Sequence, residues 1–546
     1  MGKNKFFKNL VMCLFGATVL ATAIGFLISS DSEQIYTYDS TYFAAAERIM
    51  FTTSSSANLN IIPKQGKSLD IKLYVSYNDS ANPVPIRTLY GIKDSLGISF
   101  FIPITKPFFR YRIEYKESSE SLWKSLPARA VKSPFKNADD KTEIIFFSDD
   151  HLSDDADMGD WKLQDPVLRQ LRLNGDYVNL FLEEFRKNPS YWPSGELGSL
   201  MNGFCMASTL YQISKNENPD LIVNLGDSGM GFDYRWEGLG LKRPYEASDA
   251  EVDQYEKIFE LGRRKIFSAL SSFIPIYRVL GNHDGEAGWD RTKESATKYR
   301  KKYSRVPIDS FPNENCYYIK RGEVLIVALD VMGYNFGSPI KPEDWTLGQA
   351  QKNWLRSVLR DSKAKWKFVC FHHVLGGWPT GSEENERTYA YGRGPLFTKG
   401  DYAEIPGVNP NLVEQVEITR ICQENGVDAI LYGHDHIFHS KIIGTNSKGR
   451  AMRSICVGST KYVGEYEWYK GTFWKKFSGS FGSNFGNYET YWQHDRPVDF
   501  WGPSGYTKLI IFPDRVEVEY VRSAYHRHTN IPPSVKVGDC VQKIVF

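Results

Sequence analysis

The chain has 546 residues, 41% of them hydrophobic and 24% charged, with 67 Lys and Arg against 65 Asp and Glu. That length suits about two to four domains, and the composition excludes a disordered, collagenous or disulfide-dense chain. Charges that nearly cancel give no whole-chain basis for a nucleic-acid partner, and none is expected.

Lys3, Lys5 and Lys8 open the chain, and Leu10–Ile28 follows as an uncharged, mostly apolar run. A signal-peptide core takes about 7–15 residues and a spanning helix about 17–25, and this run falls between them. Ala21-Thr22-Ala23 fits a cleavage site, whereas Ile24–Ile28 would leave an apolar mature terminus. Cleaved signal peptide and retained membrane tether through residues 10–28 both stand. Either way the positive start puts the bulk of the chain outside the cytoplasm: secreted, periplasmic or on the outer face of a membrane. None of the seven cysteines forms a Cys-x-x-Cys pair, which argues against a thiolate zinc site. Cys370, Cys422 and Cys456 sit in apolar segments as expected for buried free thiols.

Residues 31–140 read as all-β. Leu69, Ile71, Leu73, Val75 and Tyr77 alternate, as do Phe109, Tyr111, Ile113 and Tyr115, the period of half-buried strands. A small antiparallel sandwich is expected here. Residues 141–522 change pattern. Short apolar runs recur at Ile144–Phe147, Leu221–Leu225, Ile276–Leu280, Val324–Leu329, Phe368–Phe371 and Val427–Leu431. Helical stretches lie between several of them. Ser248-Asp249-Ala250-Glu251 is a capping box ahead of Val252, Tyr255, Phe259 and Ile266. Trp354, Leu355, Val358 and Leu359 mark another helix. Buried strands alternating with helices predict an α/β domain. A Gly- and aromatic-rich insert at about 462–505 precedes a hairpin whose strands, Thr507–Phe512 and Val516–Arg522, flank Pro513-Asp514. Residues 523–546 read as a tail.

Groups of metal-competent side chains follow those runs: Asp149-Asp150-His151, Gly226-Asp227, Gly281-Asn282-His283-Asp284, His372-His373 and Gly433-His434-Asp435-His436. Ligands gather beyond the carboxyl ends of strands in open α/β sheets. A single Asp-x-His is most simply a hydrogen-bonded surface or core pair, but five such groups in order ask for one common site. Oxygen and imidazole donors suit Mn, Zn or Fe(II). In extended backbone, residues i and i+2 face one side, so Asp149 with His151, and His434 with His436, are expected to reach the same ion. Gly226, Gly281 and Gly433 are expected to let the backbone turn tightly beside it.

In that order the motifs resemble the calcineurin-like metallophosphoesterase superfamily, over roughly residues 141–460. The front β region, and the stretch from Leu347 through Trp366 to His372, are loosely similar to the purple-acid-phosphatase arrangement. The resemblance implies an α/β fold, a four-layer αββα sandwich, preceded by a small all-β domain of fibronectin III or Ig type. It implies two divalent metal ions: Asp149, His151 and His436 on the first, Asp227 bridging, and Asn282, His372 and His434 on the second, with His372 chosen over His373. It implies that His283 lies beside the leaving group, with Asp284 orienting it. Met230 stands where purple acid phosphatases carry a ferric-ligating tyrosine, so no obligate ferric ion is expected.

Such a centre hydrolyses phosphate esters with a hydroxide that bridges metals about 3.5–4 Å apart, while His283 serves the leaving oxygen. Arg393, in Gly392-Arg393-Gly394, is a candidate phosphate contact or a plain surface arginine. The expected substrate is a phosphorylated small molecule, with monoester hydrolysis ranked ahead of diester or nucleotide hydrolysis. A noncatalytic exported binding protein is the rival class. The motifs leave the oligomeric state open.

Overall fold

The computed structural model describes residues 38–77 except 54, 85–93, 97–134, 141–151, 196–228, 260–281 except 262, 265 and 269, then 284, 302–304, 306, 315–330, 347–373, 410–460 except 435 and 437, and 501–546 except 503, 525–530, 532 and 533. Eight strands come first: β1 (Arg48–Thr53), β2 (Ser56–Ile61), β3 (Ser68–Ser76), β4 (Pro85–Lys93), β5 (Ile98–Pro103), β6 (Phe108–Glu117), β7 (Lys124–Ser125) and β8 (Arg129–Lys132). One antiparallel sheet runs β1-β2-β5, and the other runs β4-β3-β6 with β7 and β8 both pairing β6. The alternating Leu69, Ile71, Leu73 and Val75 of β3, and Phe109, Tyr111, Ile113 and Tyr115 of β6, meet Ile49, Leu59 and Phe100 in a core of their own. This is a small all-β unit ahead of an α/β domain.

The α/β part comprises β9 (Thr142–Phe147), α1 (Glu196–Asn216), β10 (Leu221–Asn224), β11 (Ile276–Arg278), β12 (Tyr317–Arg321), β13 (Val324–Ala328), α2 (Gly348–Asp361), β14 (Trp366–Cys370), α3 (Pro410–Glu424), β15 (Ala429–Tyr432), β16 (Phe438–Thr445), β17 (Ala451–Val457), β18 (Gly505–Ile511), β19 (Val516–Arg522) and β20 (Cys540–Val545). Two six-stranded sheets result, β11-β10-β9-β18-β19-β20 and β12-β13-β14-β15-β17-β16. Pairing is parallel among β9, β10 and β11, and among β13, β14, β15 and β17, and antiparallel at the margins.

Alternate residues of each strand fill one shared core: Ile144 and Phe146 of β9, Ile326 of β13, Phe368 of β14, Leu431 of β15 and Leu509 of β18. The intervening Ile145, Phe147, Val327, Val369 and Ile430 are equally buried on the opposite faces. Strands covered on both sides read as continuous apolar runs, and that is the four-layer αββα architecture. Helix α2 is tied to the end of β13 by the Gln351 amide, which accepts from Asp330 N–H (2.9 Å) and donates to the Asp330 carbonyl (3.1 Å).

Residues 523–546 are not a tail. Strand β20 closes the first sheet against β19, and Ile531 and Ile544 join the shared core. The end of the aromatic insert also belongs to the fold: Trp501 bridges Phe438, and Gly505 begins β18. The capping box at 248–251 and the aromatic stretch 461–500 lie outside the described residues; Ile266 is helical and buried. Cys370, Cys422 and Cys456 are buried and in no disulfide among the described residues. No helix among the described residues is long and apolar enough to cross a membrane, and the run Leu10–Ile28 lies outside them.

Candidate metal centre

Strands β9, β10, β14 and β15 end on one side of the two sheets, and their next residues converge. Backbone pairing continues past the strands: Asp149 N–H donates to Gly226 O (2.9 Å), His151 N–H to Asp227 O (3.0 Å) and Gly433 N–H to His372 O (2.9 Å). Asp149, His151, Asp227, His434 and His436 all adopt positive φ, between 39° and 68°; Ser504 is the one other non-glycine residue to do so among the described residues. The expected reason for convergence was extended backbone with period two. The chain instead uses left-handed turns, which aim both members of each pair inward at a local cost.

The glycines matter here chiefly through close approach. A Cβ on Gly281 would lie 2.1 Å from Asp227 Oδ1, and one on Gly433 would lie 1.8 Å from Ser148 Oγ. Gly226 answers both demands: it sits at φ +105°, and a Cβ on it would lie 2.5 Å from Gly281 N.

Asp149 is fully buried, and its Oδ2 accepts the His434 N–H at 2.8 Å. Its Oδ1 has no hydrogen-bond donor among the described residues. It faces His436 Nε2 at 3.4 Å, His151 Nε2 at 3.8 Å and His372 Nε2 at 3.8 Å. His151 Nε2 and His436 Nε2 stand 3.0 Å apart, and His372 Nε2 is 3.0 Å from Asp227 Oδ2. Oxygen and nitrogen ligands about 2.0–2.2 Å from a common ion stand about 3–3.5 Å from one another, so the donor set fits a cation. The Nδ1–H of His372 donates to Leu225 O at 2.8 Å, which leaves the Nε2 lone pair toward the carboxylates.

Burial opposes charge on His372, but Asp227 and then Asp149 outweigh it and push the imidazole up to about 9. Burial likewise works against ionised Asp149, yet His372 and His436 hold it well below the usual carboxylate range. The local field favours positive charge, which a divalent ion supplies while leaving the imidazoles neutral and able to coordinate.

The donors fall into three groups: Asp149, His151 and His436; Asp149, Asp227 and His372; and His372, His373 and His434. His372 belongs to two of these groups and His373 to one, with the His373 ring centroid 4.0 Å from that of His434. Two adjacent histidines gave the sequence no means of separating them. Asn282, His283 and Arg393 lie outside the described residues, so their expected roles lie there too.

Asp284 has a different task on view. Its Oδ2 accepts the N–H groups of Asp227 (2.8 Å) and Gly281 (2.9 Å), and its Oδ1 accepts Ser228 N–H (3.2 Å) and Arg278 Nη2 (2.7 Å). It clamps the turns after β10 and β11 together; whether it also touches His283 falls outside the described residues. Burial opposes its charge, but Arg278 and then Arg263 bring the carboxyl down to about 2. A second tie went unread in the sequence: Asp150 Oδ2 accepts Asn224 Nδ2 (3.0 Å) and Ser228 Oγ (3.2 Å). Asn224, the last residue of a buried apolar strand, was the available signal.

Residues 201–438 match the family model for the calcineurin-like phosphoesterase. The chain carries a calcineurin-like phosphoesterase domain. It is therefore a metal-dependent phosphoester hydrolase. Among solved structures, that of PhoD is similar at 12% identity and a TM-score of 0.55, over 89% of this chain and 87% of PhoD. At that identity the likeness is one of fold. The beta-glucuronidase of Bacteroides uniformis aligns at 10% identity over 74% of this chain and 37% of its own, with a TM-score of 0.22, a score that shows no common fold. No curated protein matches in sequence.

Proposed function

We propose that this phosphoesterase hydrolyses phosphate monoesters outside the cytoplasm and holds two divalent ions. The observation that carries the two-ion reading is the arrangement of donors. Asp149, His151 and His436 form one group, His372, His373 and His434 form another with no member in common, and Asp149, Asp227 and His372 join them. Asn282 would complete the second set. Divalent ions supply Lewis acidity at phosphorus and activation of water at neutral pH. The chain's own residues do the rest. Asp149 and Asp227 supply fixed negative charge, His372 is held in one tautomer by Leu225 O, and Asp284 keeps the Asp227 turn in register. His283 is assigned to protonate or stabilise the leaving oxygen.

The ligands are buried, with His436 13% exposed and Asp149, Asp227 and His372 at 1% or less. Monoester preference rests on the ranking made from the sequence, and the substrate comparison below decides it. Export is supported by Lys3, Lys5, Lys8 and the apolar run behind them. Fractionating cells that express the chain with and without residues 1–30 tests it, and a cytosolic full-length chain would refute it.

Purified protein stripped of metal, then given Mn, Zn or Fe(II) singly, decides the activity. Metal-dependent phosphate release is expected, faster from a monoester than a diester, with at least about a 100-fold loss in Asp227→Asn. A faster diester rate would reverse the substrate assignment. Turnover that survives in Asp227→Asn would remove that residue from the centre.

A further inference from the structure

Beneath the turns that carry Asp227 and Gly281 lies a buried chain of charged groups. Arg278, the last residue of β11, donates through Nη2 to Asp284 Oδ1 at 2.7 Å and through Nη1 to Glu260 Oε1 at 2.9 Å. The other oxygen of Glu260 accepts the Ser304 hydroxyl. The Arg278 carbonyl accepts Tyr317 OH at 2.8 Å, which anchors the strand end itself. Glu260, Arg278 and Asp284 are 2%, 7% and 7% exposed.

Taking three charged groups out of water carries a desolvation cost that apolar packing would not. Stability alone is therefore a poor reason for them. Their geometry supplies another. Asp284 receives three backbone N–H groups, two of them from Asp227 and Ser228. Asp227 sits at φ +53°, a conformation that persists only when neighbours hold it. Arg278 fixes the rotation of the Asp284 carboxylate, and Glu260 fixes Arg278. A planar fork with two donating ends makes this link, and an ammonium in its place would reach one carboxylate and leave the other.

We infer that Arg278, braced by Glu260, is a positioning residue for the metal centre, which acts through Asp284 to hold Asp227 in the geometry that binds cations. The inference rests on the reading of Asp227 as a metal ligand.

The test is a Mn(II) titration of the full chain, followed by the electron paramagnetic resonance signal of free Mn(II). Arg278→Lys and the charge-balanced pair Arg278→Met with Glu260→Gln are compared with Arg321→Lys and with Asp227→Asn. Arg321 is an equally buried arginine, bonded to Asp220 Oδ1 at 2.8 Å at the opposite end of β10. It therefore reports loss of a buried pair without loss of positioning. Both Arg278 variants are expected to bind Mn(II) roughly 10–100-fold more weakly, while Arg321→Lys keeps wild-type affinity at a comparable loss of thermal stability. Folded Arg278 variants with wild-type affinity would overturn the inference, and so would an equal loss in Arg321→Lys. A wild-type chain that binds no Mn(II), or an Asp227→Asn variant that binds it unchanged, would overturn the metal-centre reading and the inference with it.

Discussion

Five side chains of the centre stand on left-handed backbone, at about 1–2 kcal/mol per residue for anything but glycine. The contacts that hold them there are tight, and Gly433 shows how tight. A Cβ at this position would meet Ser148 Oγ at 1.8 Å, Ser148 Cβ at 2.6 Å and Asp149 Oδ2 at 2.8 Å. Gly433→Ala is expected to push the Asp149 turn outward, cost roughly 1–3 kcal/mol and weaken metal binding. Denaturant melts and Mn(II) titration together check it, and unchanged values in both would show that the turn has slack. Asp284 adds a pH dependence. Its folded pKa, about 2, lies below the unfolded value of about 3.9. The unfolded chain therefore takes up the proton first, and the carboxylate's contribution is complete above about pH 4 and fades as pH falls toward 2. The stability gap between wild type and Asp284→Asn should narrow across that window; a gap that widens on acidification would contradict the clamp. Ligand types were legible in the sequence because Asp, Asn and His announce their donor atoms. The left-handed backbone was not, since those positions carry no glycine. The clamp was not either, because it depends on Arg278 and Asp284 meeting across a turn.

Whole strands were easier to read than their ends. Every apolar run named from the sequence after residue 140 lies in or across a strand, from β9 to β15, because strands covered on both faces are predominantly apolar. Strand β20 escaped notice for the converse reason. It is an edge strand, half-exposed along most of its length, so Cys540–Val545 shows neither an apolar run nor a clean alternation. Its partner β19 has a larger part in the site than its distance along the chain suggests. The Tyr520 ring stacks on Phe438 at 4.7 Å, and its hydroxyl donates to Gly502 O at 2.6 Å. The ring also fills the space where side chains at Gly458 and Gly505 would stand. That segment reaches the centre, since the Ser459 hydroxyl donates to the Asp149 carbonyl at 2.8 Å. Tyr520→Ala should cost about 3–5 kcal/mol through the cavity it opens, and Tyr520→Phe about 1–3 kcal/mol through the carbonyl left without its donor. Urea titration separates the two. Equal costs would mean that the hydroxyl, and not the ring, is what holds the segment.

At the scale of the whole molecule, the sequence left open whether the front sheets shape the site or merely precede it. The contacts favour one body. Met50 of β1 belongs to the core shared by the two large sheets, and Phe273 packs against the core of the front sheets. Tyr277 of β11 exchanges hydrogen bonds with Phe51, accepting its N–H at 3.2 Å and donating to its carbonyl at 3.1 Å. Tyr111 OH reaches Ser272 O. The Arg264 guanidinium, 3% exposed, donates to the carbonyls of Tyr303 (3.2 Å), Ala46 (3.0 Å) and Asn60 (3.3 Å). None of these pairs is visible in a linear pattern, since each joins residues far apart along the chain. Separating the parts would strand buried donors and carbonyls at about 1–3 kcal/mol each, so the two cores should open together. Native-state hydrogen exchange can measure this directly. The amides of Leu69, Ile71 and Leu73 in β3 should share one opening free energy with Phe368 and Val369 of β14, and Arg264→Met should lower both by the same amount, roughly 3 kcal/mol. If β3 opens well before β14, or if Arg264→Met affects β14 alone, the front sheets are a separate unit and the site owes them nothing.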